Sequence, residues 1–168
     1  RLDPVPLLFA PPGAYSIAEP STGSNAWPQS RNGSRNTGYT STEAPLPDKV
    51  RWTYTSPEPL INPPSVVDGR VYLAMEDDRT IALDVQSGNV LWEYDSGWPS
   101  SSTPAVTGGT VISAVRPGIV VALDRFTGKL QWENITGSPI LSSPVIADGT
   151  VYIGSADSSV HALDVATG

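Results

Sequence analysis

Tandem repetition at a fixed spacing of 40 residues constrains this chain more than any other feature of its sequence. Trp52, Trp92 and Trp132 share one column, as do Pro59, Pro99 and Pro139, then Pro64, Pro104 and Pro144. Gly69, Gly109 and Gly149 each precede a valine by two positions, at Val71, Val111 and Val151. Ala82-Leu83-Asp84 returns as Ala122-Leu123-Asp124 and Ala162-Leu163-Asp164, and Gly88, Gly128 and Gly168 close the unit. Ungapped agreement in so many columns marks copies of one supersecondary unit, which cannot bury its apolar face alone and must stack on its neighbours. The copies run 50–89, 90–129 and 130–168.

Each copy reads as a set of short strands. Ser65-Val66-Val67 is a brief apolar run ended by Asp68-Gly69, a type I′ hairpin signal because both central residues of that turn take positive φ. Gly108-Gly109 and Asp148-Gly149 stand in the same place. Val71-Tyr72-Leu73 predicts a second strand, ending in the polar turn Glu76-Asp77-Asp78, and Thr80-Ile81-Ala82-Leu83 a third. Val90 to Tyr94 and Leu130 to Glu133 predict fourth strands, and Val50 to Tyr54 is the same kind of strand with no preceding partner. Four antiparallel strands per 40 residues is the length of a β-propeller blade. A helical repeat would need long stretches of 3.6-residue period, which the Gly and Pro columns interrupt. The expected fold is all-β, a propeller of four-stranded antiparallel blades.

The recurring side chains suit structural work. Asp84, Asp124 and Asp164 can accept N–H bonds from the turn after the third strand, with Ser87, Thr127 and Thr167 adding a hydroxyl. Gly88, Gly128 and Gly168 can supply positive φ at the end of that turn. The tryptophans bring large apolar surfaces fit to wedge between blades, and Ala82, Ala122 and Ala162 leave room for close packing.

These residues carry a family resemblance. Ala82-Leu83-Asp84-Val85-Gln86-Ser87-Gly88-Asn89-Val90-Leu91-Trp92 resembles the tryptophan-docking repeat A-x-D-x-x-T-G-x-x-x-W of the PQQ-binding-like propellers, found in quinoprotein dehydrogenases and in the bacterial outer-membrane assembly propeller. Ala122 to Trp132 matches again, with Thr127 in the threonine position, and the third copy runs from Ala162 to Gly168. Trp27-Pro28 and Arg35 to Ser41 resemble the lead-in to a first blade, so residues 27–49 are expected to enter the propeller at its start. Residues 1–26, rich in Pro, Ser, Ala and Gly, read as an extended arm or linker carrying the apolar cluster Leu7-Leu8-Phe9. The resemblance implies a ring of eight blades, in which a strand like Val50 to Tyr54 completes the last blade. The sequence accordingly reads as a C-terminally truncated piece of a larger ring, the alternative being an open arc whose edges a partner caps.

Three functions are compatible with that family. The first is a non-catalytic extracytoplasmic scaffold that binds protein partners in a membrane-associated complex. The second is a fragment of a quinoprotein dehydrogenase, which the resemblance would supply with pyrroloquinoline quinone, Ca²⁺ and an aspartate base. The third is a lumenal sensor domain, for which the sequons Asn32-Gly33-Ser34 and Asn134-Ile135-Thr136 are the relevant signal. The residues lean away from an enzyme. There is no cysteine, hence neither the disulfide that many quinoproteins carry beside the quinone nor a thiolate metal site. Glu76-Asp77-Asp78 is the densest acidic run, but no second cluster converges on it as a calcium site requires. His161, the only histidine, occupies a strand column with Ile81 and Val121 and has no local serine–histidine–aspartate set. No cofactor is expected unless blades outside this sequence supply ligands for the quinone and calcium, and no metal or catalytic residue is assigned.

Charge narrows the partners. The net charge of −7 lies entirely in residues 50–168, where thirteen acidic residues face six basic ones. Such a domain repels phosphate backbones, which argues against nucleic acid. No run approaches the roughly 18 apolar residues of a membrane span. The expected location is extracytoplasmic: periplasmic or cell-surface, lumenal in a eukaryote. Trp98 lies outside the repeated tryptophan column, in a strand-connecting loop. Packing on a neighbouring blade is its favoured role, and contact with a partner the alternative.

Overall fold

The computed structural model of the chain describes residues 50–168. The expectations for the arm (1–26), the lead-in (27–49), Leu7-Leu8-Phe9 and the Asn32 sequon lie outside the described residues. Eleven strands and no helix make up the described part, so no helix there is long and apolar enough to cross a membrane.

The first blade contains β1 (Ser65–Val67), β2 (Arg70–Ala74), β3 (Arg79–Asp84) and β4 (Val90–Asp95), antiparallel in the order β1-β2-β3-β4. The second repeats it with β5 (Ala105–Thr107), β6 (Thr110–Val115), β7 (Ile119–Asp124) and β8 (Leu130–Ile135). The third comprises β9 (Val145–Ala147), β10 (Thr150–Gly154) and β11 (Val160–Asp164). The all-β propeller architecture read from the 40-residue spacing is the observed one.

Two sequence readings change. Val50 to Tyr54 forms no strand. A strand needs a hydrogen-bonding neighbour, and no described residue supplies one. The hairpin at Gly108-Gly109 also departs from its equivalents. Asp68-Gly69 and Asp148-Gly149 take φ of 46° and 74°, and 47° and 74°, as the type I′ turn requires. Gly108 has φ 38°, but Gly109 lies outside the left-handed region. With no Cβ at either position, the second turn is free to take another geometry.

The core consists of blade-on-blade layers. Tyr72, Ala82 and Trp92 on one face of the first blade pack against Val106, Val111, Val121 and Leu123 of the second. Ile112, Ala114, Val120 and Ala122 on the far face of the second pack against Ile140, Val151 and Ile153, with Ile146, Leu163 and Val165 around them. A sheet covered on both faces needs no polar side to its strands, which is why β6 is buried at every position. β10 instead alternates: Val151 and Ile153 are buried, whereas Tyr152, in the column of fully buried Tyr72, is 43% exposed. Ala162 follows the same rule, exposed where Ala82 and Ala122 are buried.

The outermost strand pairing carries one irregularity in the same place in both complete blades. Ala82 pairs with Trp92 but Leu83 with Val90, and Ala122 pairs with Trp132 but Leu123 with Leu130. Leu91 and Gln131 are therefore extra residues of a β-bulge, which resets side-chain alternation. The bulge puts each tryptophan opposite the small alanine, on the face that meets the next blade.

Candidate functional site

The repeated turn between the third and fourth strands is built from three side chains. Asp124 Oδ1 accepts bonds from Phe126 N (3.0 Å), Thr127 N (2.8 Å) and Thr127 Oγ1 (2.8 Å). Asp84 does the same with Gln86 N, Ser87 N and Ser87 Oγ, and Asp164 with Ala166 N, Thr167 N and Thr167 Oγ1. These donors favour the ionised carboxylate and hold all three acids below their ordinary range. Bonds from Ser87 lead at Asp84, and the Thr127 and Thr167 hydroxyls lead at Asp124 and Asp164. Gly88, Gly128 and Gly168 follow with φ of 73°, 72° and 75°.

The tryptophan 36 residues earlier, in the same 40-residue copy, lies on that glycine. A Cβ at Gly128 would stand 2.7 Å from the Trp92 ring, at Gly88 2.6 Å from Trp52, and at Gly168 2.7 Å from Trp132. Each indole N–H then donates to a carbonyl of the same turn: Trp52 to Val85 (3.0 Å), Trp92 to Arg125 (2.9 Å) and Trp132 to Val165 (2.8 Å). Asp, Gly and Trp are thus parts of one junction, repeated three times. All nine positions singled out in the sequence sit at junctions.

The junction between the first and second blades carries more. The Arg125 carbonyl also receives Tyr72 Oη and Arg70 Nη1, both at 3.5 Å, and Arg70 Nη1 lies 3.2 Å from the Phe126 carbonyl. Burial pushes the Tyr72 phenol up to about 12, against the opposing pull of Arg125 and Arg70. The Arg125 guanidinium, 9% exposed, pairs with Asp68 at 2.8 Å, and its Nε is buried without a partner. Phe126 is 53% exposed, with the guanidinium carbons of Arg125 and Arg70 at 4.8 and 5.2 Å from its ring centre. None of these three residues recurs, so the repeat columns do not mark them. The available signal was departure from the columns: Thr110 and Thr150 stand where Arg70 does, Val85 and Val165 where Arg125 does, Gln86 and Ala166 where Phe126 does.

The acidic run occupies the β2–β3 turn of the first blade, against the loop that leads to the second. Glu76 accepts from Ser101 Oγ (3.0 Å) and pairs with Arg116 (3.2 Å), and Arg116 also bonds Ser101. Asp77 pairs with Arg79 at 2.5 Å, and this bond raises the arginine's already high pKa. Two of the three carboxylates are therefore engaged by arginines, and no group of three metal-ligating side chains occurs among the described residues. Trp98 is 47% exposed, so close packing on a neighbouring blade does not describe it. His161 lies on β11, with Nε2 2.7 Å from Asp157 Oδ2, and that bond is the main cause of the lowered Asp157 pKa. In the second sequon, Asn134 donates to the Gly168 carbonyl (2.9 Å) and Thr136 Oγ1 to Gly118 and Ser138. An open depression of about 350 Å³ lies against Pro139, Leu141, Ser142 and Ser155. No charged side chain lines it.

The family model described as outer membrane protein assembly factor BamB matches residues 13–102 and 95–168. The chain belongs to that family of PQQ-like propeller repeats. Among solved structures, BamB from Moraxella catarrhalis is 30% identical with a TM-score of 0.55, over 60% of this chain and 31% of that one. Quinohemoprotein alcohol dehydrogenase from Comamonas testosteroni is 24% identical with a TM-score of 0.74, over 88% of this chain and 27% of that one. A europium-containing methanol dehydrogenase is 19% identical with a TM-score of 0.74, over 88% and 31%. The two dehydrogenases speak to the fold alone. The chain spans less than a third of the length of each of these proteins. No match was found among curated protein sequences.

Proposed function

We propose that this BamB-family chain is part of an extracytoplasmic β-propeller that acts as a non-catalytic, protein-binding scaffold in a membrane-associated complex. The family match over two segments that together reach from residue 13 to 168 carries the reading. The loop chemistry supports it. A propeller offers partners a rigid ring bearing exposed loops, and here Trp98, Ile61 and Leu141 are exposed on the inter-blade loops. The densest acidic turn commits two of its three carboxylates, Asp77 and Glu76, to Arg79 and Arg116. In this account the nine recurring Trp, Asp and Gly positions keep the blades in register, and Trp98 is a contact residue.

The test is partner capture by the full-length protein in its native membrane. A photoreactive residue at position 98 should yield one discrete adduct with a membrane-complex protein, lost in the unfolded control. Adducts scattered over many proteins, or none, together with quinone-dependent alcohol oxidation by the purified protein, would replace the scaffold with the dehydrogenase reading.

A further inference from the structure

We propose that Arg70, Arg125 and Phe126 form a docking surface for an acidic segment of a partner protein, a proposal that rests on the scaffold reading and locates one of its contacts. The first argument is that the trio is surplus to the fold. The same tryptophan–glycine junction closes at Trp132–Gly168 with Thr110, Val165 and Ala166 at the three positions, and at Trp52–Gly88 with Val85 and Gln86 in place of Arg125 and Phe126. Junction closure therefore does not require two arginines and a phenylalanine.

The second argument is the state of the side chains. Phe126 keeps 53% of its surface exposed on a turn where its equivalents are Gln86 and Ala166. It is held beside two guanidiniums, and ordered aromatic and arginine side chains are the ones that dominate binding interfaces. Arg125 is fixed from below by Asp68 and by burial. Arg70 directs its hydrogen bonds to two backbone carbonyls. Among the described residues it makes no ion pair, whereas Arg79, Arg116 and Arg125 each hold a carboxylate. Its cross-strand neighbour Asp84 accepts its hydrogen bonds from its own turn, at Gln86 and Ser87, and attracts Arg70 through space without a direct ion pair. A guanidinium with no ion pair among the described residues, beside an exposed ring in an otherwise acidic domain, fits a partner carboxylate next to an apolar side chain. The bidentate geometry of arginine is suited to that group.

The experiment uses full-length protein in its native membrane, with p-benzoylphenylalanine placed at position 126 and, in separate samples, at positions 86 and 98. The expected result is a protein adduct from position 126, absent from position 86, mapping within a few residues of an Asp or Glu of the partner. Arg70→Gln should lower its yield about thirtyfold, the lower end of an interface hot spot. Reversing the partner's mapped acid to lysine should lower it as much, with this chain untouched, so the test survives if Arg70→Gln impairs folding. An adduct with lipid, an adduct on a segment without carboxylates, no adduct, or a yield indifferent to the partner's charge reversal would overturn the proposal. Capture from position 98 without capture from 126 would remove this surface and leave the scaffold reading standing. Failure at both positions would remove both.

Discussion

Replacing Gly128 with alanine should cost substantially more than replacing Gly149, although the two glycines share a backbone conformation (φ 72° and 74°). Both alanines would occupy the left-handed region at about 1–2 kcal/mol, and both would restrict the unfolded chain to the same degree. They differ in what the new methyl meets. At Gly149 nothing lies within 4 Å, whereas at Gly128 the methyl would stand 2.7 Å from the Trp92 ring. The indole cannot simply retreat, because its N–H is bonded to the Arg125 carbonyl at 2.9 Å and only 7% of the residue is exposed. Forcing a group into a packed site costs about 1–3 kcal/mol, and this is the expected difference between the variants. At about 2–4 °C per kcal/mol for a domain of this size, Gly128→Ala should melt roughly 2–12 °C below Gly149→Ala. Thermal unfolding of the full-length variants, followed by indole fluorescence, measures the gap. Equal melting temperatures would mean that the tryptophan does not press on the glycine, and the junction would have to be explained without that contact.

Trp92→Phe should lose the bond to Arg125 and part of the packing, about 1–3 kcal/mol in urea unfolding. Thr80→Val should cost about 1–3 kcal/mol by stranding the buried Ser113 hydroxyl, 3.1 Å from Thr80 Oγ1. Adding Ser113→Ala should recover part of that loss, and a double-mutant cycle without coupling would contradict the pairing. Asp84, Asp124 and Asp164 have folded pKa values below their ordinary 3.8, so their stabilisation is complete above that value and falls as pH drops through the lower folded values. Acid titration should show loss of stability below about pH 4, shallower in Asp124→Asn than in the parent. Glu76→Gln should change stability by less than about 1 kcal/mol, because its partner Arg116 is 43% exposed and the pair is screened by solvent.

The repeat made the blades legible because each column answers a local need. Asp84, Ser87 and Gly88 specify a turn within five residues of chain, and Asp68-Gly69 specifies a hairpin within two. Such requirements are written in adjacent residues and survive translation into three dimensions. What depends on a neighbouring element was less legible. Val50 to Tyr54 has a strand's composition and sets Trp52 on its turn as Trp92 and Trp132 are set, but has no described strand to pair with. Ala162 and Tyr152 occupy core columns yet lie exposed, because burial in a stacked repeat is decided by the next sheet. The bulges after Ala82 and Ala122 could not be read either, since alternation there is reset by pairing. The Arg70–Arg125–Phe126 cluster was overlooked for a different reason: its three members come from two repeats, and each is an exception in its own column.

The most direct test of the scaffold account is a titration of the full-length protein with pyrroloquinoline quinone in the presence of calcium, read by calorimetry and by dye-linked alcohol oxidation. The account predicts no saturable, calcium-dependent heat and no dye reduction above the buffer control. Saturable binding that requires calcium, accompanied by turnover, would contradict it and assign this propeller to catalysis.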